Sequence, residues 1–231
     1  MQISQLLVEK YQVSIQDLER AESFQNRHGG RLEQILVNMG SLPDDQIPAL
    51  LSDYLQGMNN IEAEFVQHTF DGKGSLLQTQ KGMLHLKRPN KFRWQSLSPF
   101  EQLLLSNGEP LWQYDEDLEQ VSIQKLDQRL SVTPALLLTG TVKTIAQEYD
   151  VYGEALATEY HFVLIPKRTD TLFDRLRLEF DGNKLLSRMV IKDEVGQKTI
   201  IRLQNVKQSA QLQDSLFEFD IPPGIDVIRA Q

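Results

Sequence analysis

The chain has 231 residues, 40% of them hydrophobic and 24% charged, with a formal net charge of −8. That is long enough for one large β domain, or for a domain of about 150 residues with a smaller companion, and neither part offers the basic excess that a nucleic-acid partner needs: residues 1–57 hold eight acids and four bases, the rest 24 and 20. The lack of cysteine closes disulfide and thiolate-metal chemistry, and no run approaches the roughly 18 apolar residues of a membrane span.

The first elements read as helices. Ser14 followed by Asp17 is a capping-box arrangement, IQDLERAESFQNRH sets Ile15, Leu18, Ala21 and Phe24 on one stripe, and Gly29 is placed to end the helix. A second helix, RLEQILVNMG, carries the stripe Leu32, Ile35, Leu36 and Met39 and stops at Gly40. After the polar SLPDDQ, a third is expected from Pro48 to Met58, with the proline in the first turn where it removes no needed donor.

Beyond Met58 the apolar period changes from 3.6 to 2. NNIEAEFVQHTF alternates Ile61, Ala63 and Phe65 against polar neighbours, and FDGKGS supplies a turn. Half-buried strands follow at KGMLHLKR, NKFRWQ, EQLLLS, LWQY, EQVSIQK, EYDVYG, EYHFVLIP, RLRLEF, LLSRMVIKD, KTIIRLQNV and LFEFDI, with hairpin signals at SNGEP, YDEDLE, FDGNK and DEVGQK. The one helical pause in this region is SVTPALLLTG, opened by Pro134. About eleven strands on short connections describe an antiparallel meander that closes into a barrel or curls and is covered, and the helices are the natural covers.

Residues for catalysis are missing. His28, His68, His85 and His161 fall in no metal-ligand frame, no nucleophile elbow occurs, and Gly-Lys-Gly in FDGKGS lacks both the phosphate-loop frame and a following helix. The acids Asp115, Glu116, Asp117 and Glu119 read as a charged hairpin turn. No enzyme, metal or cofactor is expected. What stands out is apolar: Phe92 and Trp94 share one face of a strand, Trp112 and Tyr114 share a face of another, and Leu103 and Leu105 lie on the strand between. Periodicity alone leaves two readings open, a β core filled by these side chains or a concave cavity for an apolar ligand.

IEAEFVQHTFDG at 61–72, QKGMLHLKRPNKFRW at 80–94, PFEQLLLSNGEPLWQYDEDLEQV at 99–121, TPALLLTG at 133–140 and LFEFDIPPGIDVI at 216–228 occur in the order seen in the outer-membrane lipoprotein carrier protein family, LolA, and residues 47–231 resemble that family. The resemblance implies an incomplete, unclosed antiparallel β barrel of about eleven strands under a helical lid. It implies a periplasmic chaperone, taken here as a monomer, that carries triacylated lipoproteins from an inner-membrane releasing ABC transporter to an outer-membrane acceptor. It makes Arg88 of the RPN block the latch that bonds lid backbone carbonyls in the closed state, and places Phe92 at the cavity. By extension Trp94, Leu84, Leu86, Leu103, Leu105 and Trp112 would line it, and the lid would comprise Leu50, Leu51 and Leu55 with the segment carrying Pro134, Leu136 and Leu137.

Residues 4–55 instead resemble the N-terminal helical module of type II secretion and type IV pilus assembly ATPases, some of which bind a cyclic dinucleotide through RLGxxLxxxGxL. RLEQILVNMGSL keeps Arg31, Leu32, Leu36, Gly40 and Leu42 but has Glu33 for the glycine, and a carboxylate there repels phosphate. A protein-contact module or simple extension over 1–46 is therefore expected. The two resemblances imply different compartments, and MQISQLLVEKYQVS has no visible export signal, so a fusion or a replaced leader is expected. The competing functional reading is a secretion-system adaptor with a lipid- or peptide-sensing β domain.

Overall fold

The computed structural model describes residues 3–30, 32–42, 46–125, 138, 142–156, 159–168, 171, 173–208 and 211–229. Four helices come first: α1 (Ile3–Glu9), α2 (Ile15–His28), α3 (Leu32–Asn38) and α4 (Gln46–Gln56). The Ser14 hydroxyl accepts from the Asp17 backbone N–H at 3.0 Å, and Gly29, at φ 72°, closes α2 by donating to the Gln25 carbonyl. The expected stripe of α2 is only half buried: Leu18 and Ala21 face the core, whereas Ile15 and Phe24 are 62% and 48% exposed. The helix packs through its middle turns alone.

Six strands follow, β1 (Asn60–Phe70), β2 (Leu76–Lys87), β3 (Lys91–Ser98), β4 (Gln102–Asn107), β5 (Pro110–Asp115) and β6 (Gln120–Lys125). A fifth helix, α5 (Val142–Glu148), unanticipated from the sequence, leads into β7 (Tyr149–Leu156), β8 (Glu159–Pro166), β9 (Arg175–Phe180), β10 (Leu186–Lys192) and β11 (Lys198–Gln208). A 3₁₀ turn (Asp214–Phe217) precedes β12 (Asp226–Arg229). LFEFDI, expected as a strand, is this turn and an irregular continuation, and the last strand lies further on.

All twelve strands form one sheet in the order β12-β6-β5-β4-β3-β2-β1-β11-β10-β9-β8-β7. Among the described residues its edge strands, β12 and β7, do not pair with each other, so the barrel is unclosed; every pairing is antiparallel except β12 with β6. One aspartate device sets three hairpins: the side chains of Asp71, Asp181 and Asp193 accept backbone N–H bonds at 2.8–2.9 Å from residues two to four positions on.

Register assigns every side chain to one of two faces. On the concave face run Ile61, Leu86, Phe92, Ser106 and Leu111 in one row and Ala63, Leu84, Trp94 and Leu104 in the next. The same face continues through Phe65, Leu203, Ile201, Met189, Leu178 and Phe162. Apart from Ser106, these residues form or pack against a single buried cluster with Leu50, Leu51, Tyr54 and Leu55 of α4 and with Leu7, Leu18 and Leu36 of the earlier helices, so the helices cover the concave side. Gly82 is required within it. A Cβ there would run into the Gln95 carbonyl and come within 2.7 Å of the Phe65 ring, which crosses the glycine to stack on Trp94 at a centroid distance of 4.2 Å.

Candidate functional site

Among the described residues, the covered concave face is an extended apolar surface that runs across most of the sheet, and α4 explains how it is closed. QIPALLSDYLQ buries Ile47, Leu50, Leu51, Tyr54 and Leu55. The Tyr54 ring lies 5.0 Å from Phe180, 5.4 Å from Phe162 and 5.6 Å from Tyr160, the first two edge-on. Helix α5 touches α4 and β7, with Ile145 fully buried. Apolar and aromatic contacts dominate this seam, so it is held without directional bonds along most of its length.

Arg88 is the exception. It follows β2 in the turn to β3, where the Arg88–Pro89 peptide is cis and Asn90 takes φ 58°. Its backbone N–H donates to the Asn59 carbonyl at 3.0 Å, beside the end of α4. Its guanidinium Nη2 donates to the backbone carbonyl of Leu138, a fully buried residue shortly before α5. Burial pulls the Arg88 pKa below its ordinary value, because a guanidinium withdrawn from water loses hydration that protein acceptors must replace. One cation thus ties the floor of the sheet to the chain that covers it.

The structure divides the expected lining residues between two faces. Leu84, Leu86 and Phe92 are fully buried on the concave face and Trp94 packs against them. Leu103, Leu105 and Trp112 point the other way, because Leu105 pairs with Arg93 and Trp112, and Leu103 with Gln95 and Tyr114. The concave positions of those strands are Leu104 and Leu111, which were missed, as were Phe65, Tyr54 and Phe162. The run LLL in β4 gives no alternation to read, since the strand is covered on both sides. The convex cover is residues 211–221: Leu212 and Phe217 are buried, and Phe219 lies 5.5 Å from Tyr114 and 6.5 Å from Trp112. Of the expected lid residues, Leu50, Leu51 and Leu55 are buried in α4, while Pro134, Leu136 and Leu137 lie outside the described residues.

Among the described residues, titratable groups form no reactive constellation in the concavity. Glu159, His161 and Glu179 gather on the convex side of β8 and β9, where Arg188 lies 2.7 Å from Glu179 and His161 Nε2 lies 3.0 Å from Glu159. The carboxylate of Glu179 is thereby engaged in an ion pair.

Comparison with known proteins agrees with this geometry. The family model described as outer membrane lipoprotein carrier protein LolA matches residues 56–220, a shorter span than the expected 47–231. An outer-membrane lipoprotein carrier protein of Pseudomonas aeruginosa is 49% identical over 179 residues, covering 78% of this chain and 86% of that protein. Its counterpart from Pseudomonas fluorescens is 44% identical over 194 residues, 84% and 93% of the two chains. Among solved structures, an uncharacterized conserved protein from Thermus thermophilus has a TM-score of 0.53 at 13% identity, covering 79% of this chain and 98% of that one, and shares the fold. With the unclosed sheet, its helical cover and a family match across most of the strands, the chain belongs to the outer membrane lipoprotein carrier protein LolA family.

Proposed function

We propose that this protein is a periplasmic chaperone that carries triacylated lipoproteins from an inner-membrane releasing ABC transporter to an outer-membrane acceptor, as a monomer, by holding the acyl chains against the concave face. The role is carriage without covalent chemistry. Phe92, Leu84, Leu86 and Trp94 form the acyl-facing floor in this reading, and α4 with Leu138 forms the lid. Residues 1–46 are read as a helical extension docked on the carrier domain, in place of a separate secretion module.

The observation that carries the proposal is the Arg88 guanidinium donating to the Leu138 carbonyl. An acyl chain of about 16 carbons is worth about 13 kcal/mol when taken out of water, at roughly 0.8 kcal/mol per methylene. Three chains would exceed the roughly 20 kcal/mol at which non-covalent affinity saturates. A carrier that releases its load therefore needs an opposing term, and the closed lid supplies one: Tyr54 must leave Phe162 and Phe180, and Arg88 must leave Leu138, before lipid takes their place.

The test is Arg88→Leu in the full chain. The variant is expected to accept lipoprotein from the transporter and deliver it to the acceptor about tenfold more slowly than the parent, since a lost charge-assisted hydrogen bond favours the open form. Delivery at the parental rate would overturn the latch assignment.

A further inference from the structure

Arg88 ties the sheet to Leu138 and to Asn59 just beyond α4. Helix α4 itself is tied elsewhere: the residues that follow α1 close on its Asp53. The Tyr11 hydroxyl donates to Asp53 Oδ2 at 2.6 Å and Lys10 Nζ donates to Oδ1 at 2.5 Å, so both carboxylate oxygens are engaged by adjacent residues of one turn. The Asp53 side chain is only 19% exposed, and Leu7 and Val13 on either side of that turn are buried in the same cluster as Leu50, Leu51 and Leu55. From the sheet, Lys184 in the β9–β10 turn lies 5.4 Å over the Tyr54 ring, next in sequence to Asp53. Helix α3 in turn contacts β7.

This arrangement restricts how α4 moves. If α4 swings off β8 and β9, the Asp53 contacts either break or drag α1 with them, and since α1 shares its core with α2 and α3, the second course pulls α3 off β7. Either way, opening costs more than separating α4 from the sheet. Lys10, Tyr11 and Asp53 lie outside residues 56–220, the span of the family model.

We propose that Asp53, held by Tyr11 and Lys10, is a second positioning contact for the lid, through which the N-terminal helices set how often the concave face opens. The inference rests on reading α4 as the lid. It is tested with the full-length chain, using hexadecanoate labelled with a fluorophore at its far end as the probe and comparing the parent, Tyr11→Phe, Asp53→Asn and Arg88→Leu. The apparent affinity of a binding-competent state scales with its population, so loosening the tie is expected to tighten probe binding by about tenfold for Asp53→Asn and about threefold for Tyr11→Phe. Combined with Arg88→Leu, Asp53→Asn is expected to multiply the gain until the open form dominates. A contact that only stabilised the fold would lower the melting temperature and leave the affinity unchanged. Unchanged or weaker binding in both Asp53→Asn and Tyr11→Phe, with Arg88→Leu still tightening it, would overturn the second contact alone. No change in any of the three variants would overturn the lid reading and this inference together.

Discussion

Strands β3 to β5 are covered on both faces, and the two covers are built differently. On the convex face, residues 211–221 lie across the strands with Phe217 fully buried, and charge fixes them: Lys87 and Lys91 both donate to Asp214, at 2.8 and 2.9 Å, and Arg93 reaches the Leu216 carbonyl at 3.4 Å. On the concave face the cover is helical, its contacts with the sheet are apolar and aromatic, and the described polar ties sit at its margins, at Arg88 and Asp53. Apolar contact is indifferent to whether the partner atoms belong to a leucine or an acyl chain, whereas hydrogen bonds to named carbonyls and carboxylates are not. The convex cover is therefore built as part of the fold, and in the proposed reading the concave one is the cover that lipid replaces.

The comparison breaks most violently at Gly82, where the two aromatic layers of the concave face meet the β3 backbone. Gly82→Val is expected to cost about 3 kcal/mol or more, because neither the Gln95 carbonyl nor the stacked Phe65 ring has room to move, and thermal denaturation of the purified variant would register it. Phe217→Ala comes next, at about 3 kcal/mol from the cavity left under the convex cover. If that cover is purely structural, acyl binding by the folded variant stays at the parental level; a change in probe affinity larger than tenfold would erase the distinction between the faces. Tyr54→Ala is expected to cost about 2 kcal/mol, since the ring is part of the helical cover and packs on Phe162 and Phe180 of the sheet. Here stability falls while apparent affinity for an acyl probe rises, and titration of the probe at a temperature well below the melting point separates the two effects.

The smallest effect concerns pH. Hydrogen bonds from Lys87 and Lys91 hold the Asp214 carboxyl down from 3.8 to about 2. A carboxylate whose pKa is depressed by folding favours the folded state above its unfolded value, and that contribution is lost as pH falls from about 4 towards 2. Asp214→Asn is expected to lessen the decline in melting temperature across that window, Glu62 retaining its own share through Lys207, while leaving probe binding at neutral pH untouched. A parental pH profile in the variant would show that the convex cover does not depend on this ion pair.

Much of the fold was legible along the chain. Ser14 and Asp17 marked the start of α2, alternation from Ile61 onward marked β1, and the aspartates at the hairpins marked turns because their side chains bond backbone N–H groups within a few residues. Helix α5 was not legible: VKTIAQE is seven residues long, too short for an apolar stripe to register. LFEFDI alternates as a strand does, yet it lies across the face of the sheet, and the edge beside β6 is taken by Asp226–Arg229.

The functional surface was legible only in part, for a physical reason. The family resemblance singled out Arg88 and Phe92 through the RPN block, and strand spacing put Trp94 on the same face as Phe92, because both signals lie in adjacent residues. Which leucines join them was a question of facing, and LLL in β4 reads the same whichever way it faces. Register with Arg93 and Gln95 turned Leu103 and Leu105 outward and Leu104 inward. Sequence by itself determined a sheet of short antiparallel strands, helices to cover it and the family pattern that goes with both. Tertiary structure decided which face is covered by what, because burial on both sides erases the alternation that tells one face of a strand from the other, and only the partners across the sheet restore it.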